Sequence, residues 1–350
     1  MNDLYRDLSP GAQAAYAELF DVARAHDLHR SVSDLNGSFA SKEVKRRKYW
    51  YFQFRDIGGG VRQIYAGPDS EGLRALVAKT GSKPARGVTP LAKAAIALGC
   101  ARVVPAHFRI IRRLSEYGFF SAGGVLVGTH AFLAMGNMLG VSWCDSTGTQ
   151  DVDFAHPGKN ISIALPSTIK IDVHAAIESL ALGLLPITSF AGNAGATYIN
   201  PSRPDLRVDF LTMRHRGGDA PVVVPNLNIA LQPLKFMEFS MEHPVQMAIV
   251  CDEGAFTVNA PIPSRYALHK LVVWGERNKA FRTKANKDLR QAAALISYFA
   301  HHQPEDLVQA WQDMVTRGRG WKKRVREGVR ALALAYPDRP EFVSLAAETG

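Results

Sequence analysis

The chain has 350 residues, room for two or three domains, and its 47% apolar and 21% charged residues are ordinary for a protein with a buried core. No run approaches the ~18 apolar residues of a membrane span, and the first residues lack the apolar stretch of a secretory signal. Three scattered cysteines, Cys100, Cys144 and Cys251, match no metal-ligand spacing and fit reduced thiols. A cytoplasmic protein with no membrane partner is therefore expected. The formal net charge of +10 bears on partners and suits a polyanion, either nucleic acid or a nucleoside triphosphate.

In chain order, residues 1–86 are expected to hold a helix started by Ser9-Pro10 and running to about residue 29, then a β-hairpin. Residues 48–55 read as its first strand, 56–60 as its turn and 61–65 as its return. A linker is expected over 81–87, and a helical connector fills 87–120, with helices at about 89–99 and 106–118. From 121 to 261 the character changes. Gly124-Val125-Leu126-Val127 is a short buried strand, 129–139 a helix, Asp151-Val152-Asp153-Phe154 a strand, 172–182 a helix and 206–211 a strand. Further strands are expected near 244–250 and 255–260. Strands interleaved with helices predict an α+β core built on a small mixed β-sheet flanked by helices. Residues 262–350 form a helical domain, with helices at about 263–277, 284–301, 304–316 and 321–335.

The chemistry concentrates on Asp151 and Asp153. Residues i and i+2 of a strand share a face, so both carboxylates project one way while Val152 and Phe154 enter the core. Two like charges held that close need a cation between them. Mg²⁺, or Mn²⁺ in its place, suits because it is hard, oxygen-seeking and shares its ligands with substrate phosphates. Asp209, in Leu206-Arg207-Val208-Asp209-Phe210-Leu211, has the same apolar flanks and is the expected third carboxylate from a neighbouring strand. Upstream, Gly128-Thr129 ends a strand at the start of a helix. Gly128 would let backbone approach phosphate, Thr129 would cap the helix, and the free N–H groups there suit a triphosphate. No GxxxxGK[ST] occurs, so a P-loop enzyme is unsupported.

A strand ending in Gly-Thr, a helix, Thr149-Gln150-Asp151-Val152-Asp153 and a later Val208-Asp209-Phe210 resemble, in that order, the DNA polymerase β nucleotidyltransferase superfamily. The likeness covers about 120–290 and sits nearest the bacterial abortive-infection and toxin-type members and a "nucleotidyltransferase-like" subgroup. It implies a nucleotidyltransferase core over 121–261 with an all-α domain appended. It implies a metal-dependent enzyme that transfers a nucleoside monophosphate from an NTP to an acceptor hydroxyl. It further implies that Lys270 and Asp288, matched by their order along the helices after the core, approach the nucleotide.

The acceptor is expected from charge. Lys45, Arg46, Arg47, Lys48 and Arg55 lie among Tyr49, Trp50, Tyr51, Phe52 and Phe54, a mixture that can hold phosphates and stack bases. Further basic clusters occupy 270–290 and 317–330, the latter reading foremost as a solvated helix face. RNA, in particular tRNA, is the favoured acceptor, and the toxin-type likeness implies a cognate antitoxin partner. Modification of a protein or small molecule, or a catalytically silent nucleic-acid-binding protein, are the alternatives.

Overall fold

The computed structural model describes residues 3–32, 37–44, 46–55, 61–71, 73–74, 77, 87–144, 148–158, 171–188, 194–214, 218–276 and 282–349. The fold is α+β. A short strand β1 (Tyr5–Asp7) precedes helix α1 (Pro10–Val32), where Ser9 Oγ accepts from the Ala12 N–H at 3.2 Å. The expected hairpin is a three-stranded antiparallel sheet of β2 (Gly37–Val44), β3 (Arg47–Arg55) and β4 (Val61–Pro68). Strand β2 escaped the sequence reading because Gly37-Ser38-Phe39-Ala40-Ser41-Lys42-Glu43 lacks the apolar alternation of a half-buried strand. Of the expected linker only Gly87 is described, and it begins α2 (Val88–Ala97). Helix α3 (Pro105–Glu116) follows.

The central sheet starts with β5 (Val125–Val127), which runs into α4 (Gly128–Leu139). Strand β6 (Val141–Trp143) pairs with β1, and β7 (Asp151–Ala155) pairs antiparallel with β5. The helix expected over 172–182 is one short segment, α5 (Val173–Glu178), capped by the Asp172 carboxylate on the Ala175 N–H. It stops because Ala181 and Gly183 take left-handed backbone, which no helix continues through. Strands β8 (Leu185–Thr188), β9 (Ala194–Asn200), β10 (Arg203–Met213), β11 (Val222–Val224) and β12 (Ile229–Leu234) complete the sheet. Strand β10 is its centre. It runs parallel to β7 on one edge, and its other edge is shared by antiparallel β9 and parallel β12.

After α6 (Glu238–Met241) come the hairpin strands β13 (Val245–Cys251) and β14 (Gly254–Ala260). Helices α7 (Pro263–Glu276), α8 (Arg282–His302), α9 (Pro304–Thr316), α10 (Arg319–Ala335) and α11 (Pro340–Thr349) close the chain. Val152 and Phe154 of β7 join Val208 and Phe210 of β10 in one buried cluster that continues into α7 and α8. The Phe154 and Phe210 rings stack with centroids 5.4 Å apart, so the β7–β10 pair is locked from beneath. A second cluster seats α1 and α2 on β13 through Tyr16, Leu19, Ala92, Ala248 and Val250. None of the described helices is long and apolar enough to cross a membrane.

Candidate active site

The register of β7 against β10 builds the site. Asp209 lies directly across from Asp153, and Arg207 across from Asp151. Because Val152, Phe154, Val208 and Phe210 all turn to the core, period-two alternation drives the three aspartates to the opposite face. Ligand oxygens of Asp151, Asp153 and Asp209 lie within 4.8 Å of one another, a spacing at which one or two small hard cations could be shared.

Each carboxylate has different company. Asp151 accepts from the Thr149 hydroxyl at 2.6 Å and lies 3.7 Å from the Lys284 ammonium. Burial works to raise its pKa, but Thr149 and Lys284 outweigh it and hold the carboxyl below its ordinary value. Asp209 accepts from Thr197 Oγ1 at 2.5 Å, and Arg207 Nε reaches both of its oxygens at 2.8 and 2.9 Å. Asp153 stands between the other two, two residues along β7 from Asp151 and across from Asp209. Burial, then the charges of Asp151 and Asp209, push its carboxyl up to about 7 against the pull of Lys270 and Lys284. Among the described residues it has no ion-pair partner.

Gly128 has a firmer role than approach to phosphate alone. Its φ of +68° is left-handed, and a Cβ there would stand 2.2 Å from Asp153 Oδ2. The glycine makes room for the carboxylate. Thr129 does not cap α4 as expected: the cap position is Val127, with no side-chain cap bond. Thr129 instead sits buried inside the first turn, where its Oγ1 accepts from Gln291 Nε2 at 3.5 Å. The Gly128 carbonyl accepts from the Tyr266 hydroxyl at 2.8 Å, which ties α4 to α7.

Lys270 and Asp288 meet at this same place. They form a buried ion pair at 2.6 Å, with the ammonium 5.0 Å above the Tyr266 ring. Burial opposes the charge on Lys270, but Asp288 and Tyr266 outweigh it and hold the ammonium well above its usual range. Helix α8 lays Lys284, Lys287, Asp288 and Gln291 along one stripe at i, i+3, i+4 and i+7. The sequence reading counted both lysines in a basic cluster. The stripe was the available signal that they face the carboxylates. Thr197, Tyr266 and Gln291 were missed: Tyr266 and Gln291 lie more than a hundred residues from the turn they support, and Thr197 reaches Asp209 only through the pairing of β9 with β10. Residue His130 is buried and shares a 3.0 Å hydrogen bond with His107 behind the site.

The basic hairpin residues stand elsewhere, on the β2–β4 sheet. Arg46 makes the β2–β3 turn with φ 63°, Arg47 and Lys48 are exposed, and the Lys48 ammonium covers the Trp50 ring at 4.7 Å. Lys45, the Arg55 side chain and the Gly58-Gly59-Gly60 turn lie outside the described residues.

Three converging carboxylates beside a helix N-terminus, on a mixed sheet backed by a helical bundle, define an enzyme of nucleotidyl transfer. A nucleotidyltransferase family model matches residues 106–316, well over half of the chain, and the chain belongs to that family. No curated protein matches the sequence. Among solved structures it is similar to an antigenic nucleotidyltransferase-like protein from Paracoccidioides brasiliensis, at 13% identity and a TM-score of 0.29 over 65% of this chain and 95% of that one. Nothing further rests on that likeness.

Proposed function

We propose that the chain transfers a nucleoside monophosphate from an NTP to a hydroxyl of RNA, tRNA foremost, with Mg²⁺ or Mn²⁺ held by Asp151, Asp153 and Asp209. The observation that carries this reading is the convergence of the three carboxylates, the middle one having no ion-pair partner among the described residues. Bound there, such a cation would neutralise the triphosphate and the charge that develops during transfer.

The protein's own groups supply the rest. The first-turn N–H groups of α4 at Gly128 and Thr129, and the Lys270 ammonium fixed by Asp288, receive the phosphates. Lys284 and Lys287 extend that positive rim from α8. The acceptor oxygen attacks the α-phosphorus, the bond to the bridging oxygen breaks, and pyrophosphate leaves with its electron pair. Asp209, oriented by Arg207 and Thr197, draws the proton from the acceptor hydroxyl. The exposed Arg46, Arg47, Lys48 and Tyr65 of the β2–β4 sheet are the RNA-holding surface in this reading, to which the sequence adds Lys45 and Arg55. A toxin-type role would pair the enzyme with a cognate antitoxin.

The test is incubation of the purified protein with each α-³²P NTP, Mg²⁺ and total RNA, alongside Asp209→Asn. Labelled RNA is expected with at least one NTP, and Asp209→Asn should lower single-turnover transfer by about 10²–10⁴-fold while NTP binding survives. Label on protein instead of RNA would overturn the acceptor. Wild-type transfer by Asp209→Asn would remove Asp209 from the chemistry.

A further inference from the structure

Helix α10 divides its surface cleanly. Trp321, Val325, Gly328, Val329 and Leu332 are buried on one side. Arg319, Lys322, Lys323, Arg326 and Arg330, at helical spacings of three and four, fall on the other. Four of these five are exposed and Arg326 is half-buried. The two remaining arginines of the stretch are spent on structure. Arg317 pairs with Glu242 and Asp313, and Arg324 with Glu276 and Glu327. None of the other five has an ion-pair partner among the described residues. Together with Glu327, which Arg324 holds at 3.0 Å, they line an open groove of about 440 Å³.

The geometry points to this face of α10 as a binding track for the phosphate backbone of RNA, an inference that rests on the RNA-acceptor reading. From Arg319 to Arg330 the helix advances about 16 Å, comparable to about five nucleotides at ~3.4 Å per step along one strand. Three of the five cations are arginines, whose planar forks match phosphate oxygens two at a time. A bilayer is the poorer fit, because the apolar face of the helix is consumed by the core and, of its large apolar side chains, Leu334 alone is exposed, at the far end. The track is also rigidly joined to the site helix. A Cβ on Gly328 would meet the Leu271 carbonyl at 2.4 Å, and one on Gly275 the Arg324 carbonyl at 2.7 Å. Helices α10 and α7 thus touch backbone to backbone, one residue beyond Lys270.

The experiment compares the full chain with the triple variant Lys322→Ala, Lys323→Ala, Arg326→Ala. A control triple, Arg102→Ala, Arg109→Ala, Arg112→Ala, removes the same charge from a face where each arginine already has an acidic partner. Binding to a fluorescein-labelled 24-nucleotide RNA is followed by anisotropy across salt concentrations, with circular dichroism to confirm folding. The α10 triple should flatten the log–log salt slope by about 2 and weaken binding at 0.1 M salt by roughly 100-fold, as three lost single-strand contacts require. The control should track the wild type. An unchanged slope in the α10 triple, or an equal loss in the control, overturns the track while leaving the RNA acceptor standing. A loss confined to phosphatidylserine vesicles or to an acidic protein overturns it in favour of that partner. A wild-type chain that does not bind the RNA overturns the acceptor reading itself.

Discussion

Two charge clusters draw on α7, one through Arg265 and the other through Lys270, and they behave differently. In one, Arg265 donates to Glu242 at 2.6 Å and to Asp313, Arg317 reaches both acids, and the two guanidiniums lie over the Phe239 ring. Each carboxylate there is held by guanidinium. Arg317 and Arg265 keep Glu242 below its ordinary value, and for Asp313 they overcome the opposing effect of burial. In the other, Asp151, Asp153 and Asp209 crowd together and the middle carboxyl is pushed up to about 7. A cluster whose charges satisfy one another binds helices together. One whose middle carboxylate has no ion-pair partner among the described residues is the arrangement the proposed cation site calls for.

The largest effect that can break this contrast is expected from Asp153→Asn. If Asp153 holds the proposed cation, loss of this carboxylate should lower nucleotidyl transfer by about 10⁴-fold, several kcal/mol at 1.36 kcal/mol per decade. Its melting temperature should hold or rise, because a repelled charge is removed. A clear loss of stability would make Asp153 a structural residue and erase the distinction. Gly128→Ala tests the same carboxylate indirectly. The new methyl would displace Asp153 Oδ2, and a displacement of about 1 Å can cost roughly 100-fold in rate. Single-turnover assays with a folded Gly128→Ala protein measure it.

Arg265→Met addresses the balanced cluster and should do the reverse. Breaking a buried pair costs about 3–5 kcal/mol, but Glu242 and Asp313 keep 38% and 36% of their side chains exposed. Solvent screening brings the expected loss nearer 2 kcal/mol, read from denaturant unfolding. Transfer per folded molecule should be unchanged.

The smallest effect is in pH dependence, and the two clusters carry opposite signs. The Asp153 carboxyl is raised from 3.8 to about 7, so its contribution to stability is full below 3.8 and is lost as pH rises through 7. Glu242 and Asp313 are lowered, so theirs is present above 4.5 and 3.8 and is lost as pH falls through the depressed values. Metal-free protein should therefore melt at a lower temperature as pH rises from 4 to 7, and Asp153→Asn should flatten that slope. Arg265→Met should leave it in place and weaken the loss at acid pH.

Much of this was legible before folding. The alternation of Val152 and Phe154 with Asp151 and Asp153 dictates which face of β7 carries charge, since side-chain period two is a property of any strand. The same pattern at Val208-Asp209-Phe210 marked its partner, and helical periodicity placed α7 to α10 within a residue or two. The sheet order was not legible. Short strands such as β9 and β12 carry little pattern of their own, and only pairing across the fold reveals them.

By itself, then, the sequence determined the carboxylate face, the order of the motifs and the helical C-terminal third, because these follow from local geometry. Only the tertiary structure decided that Asp209 lies opposite Asp153, that Lys270 meets Asp288, and that Arg317 and Arg324 are structural while the other five cations of the stretch have no ion-pair partner among the described residues. It also decided why Gly128 must be glycine. Each of these depends on which distant residue comes within a few ångströms, and no local rule of spacing encodes that. Charge shows the difference most plainly. A run of arginines and lysines looks uniform along the chain, and it divides into ion pairs and open cations only when helices carrying acids pack against it.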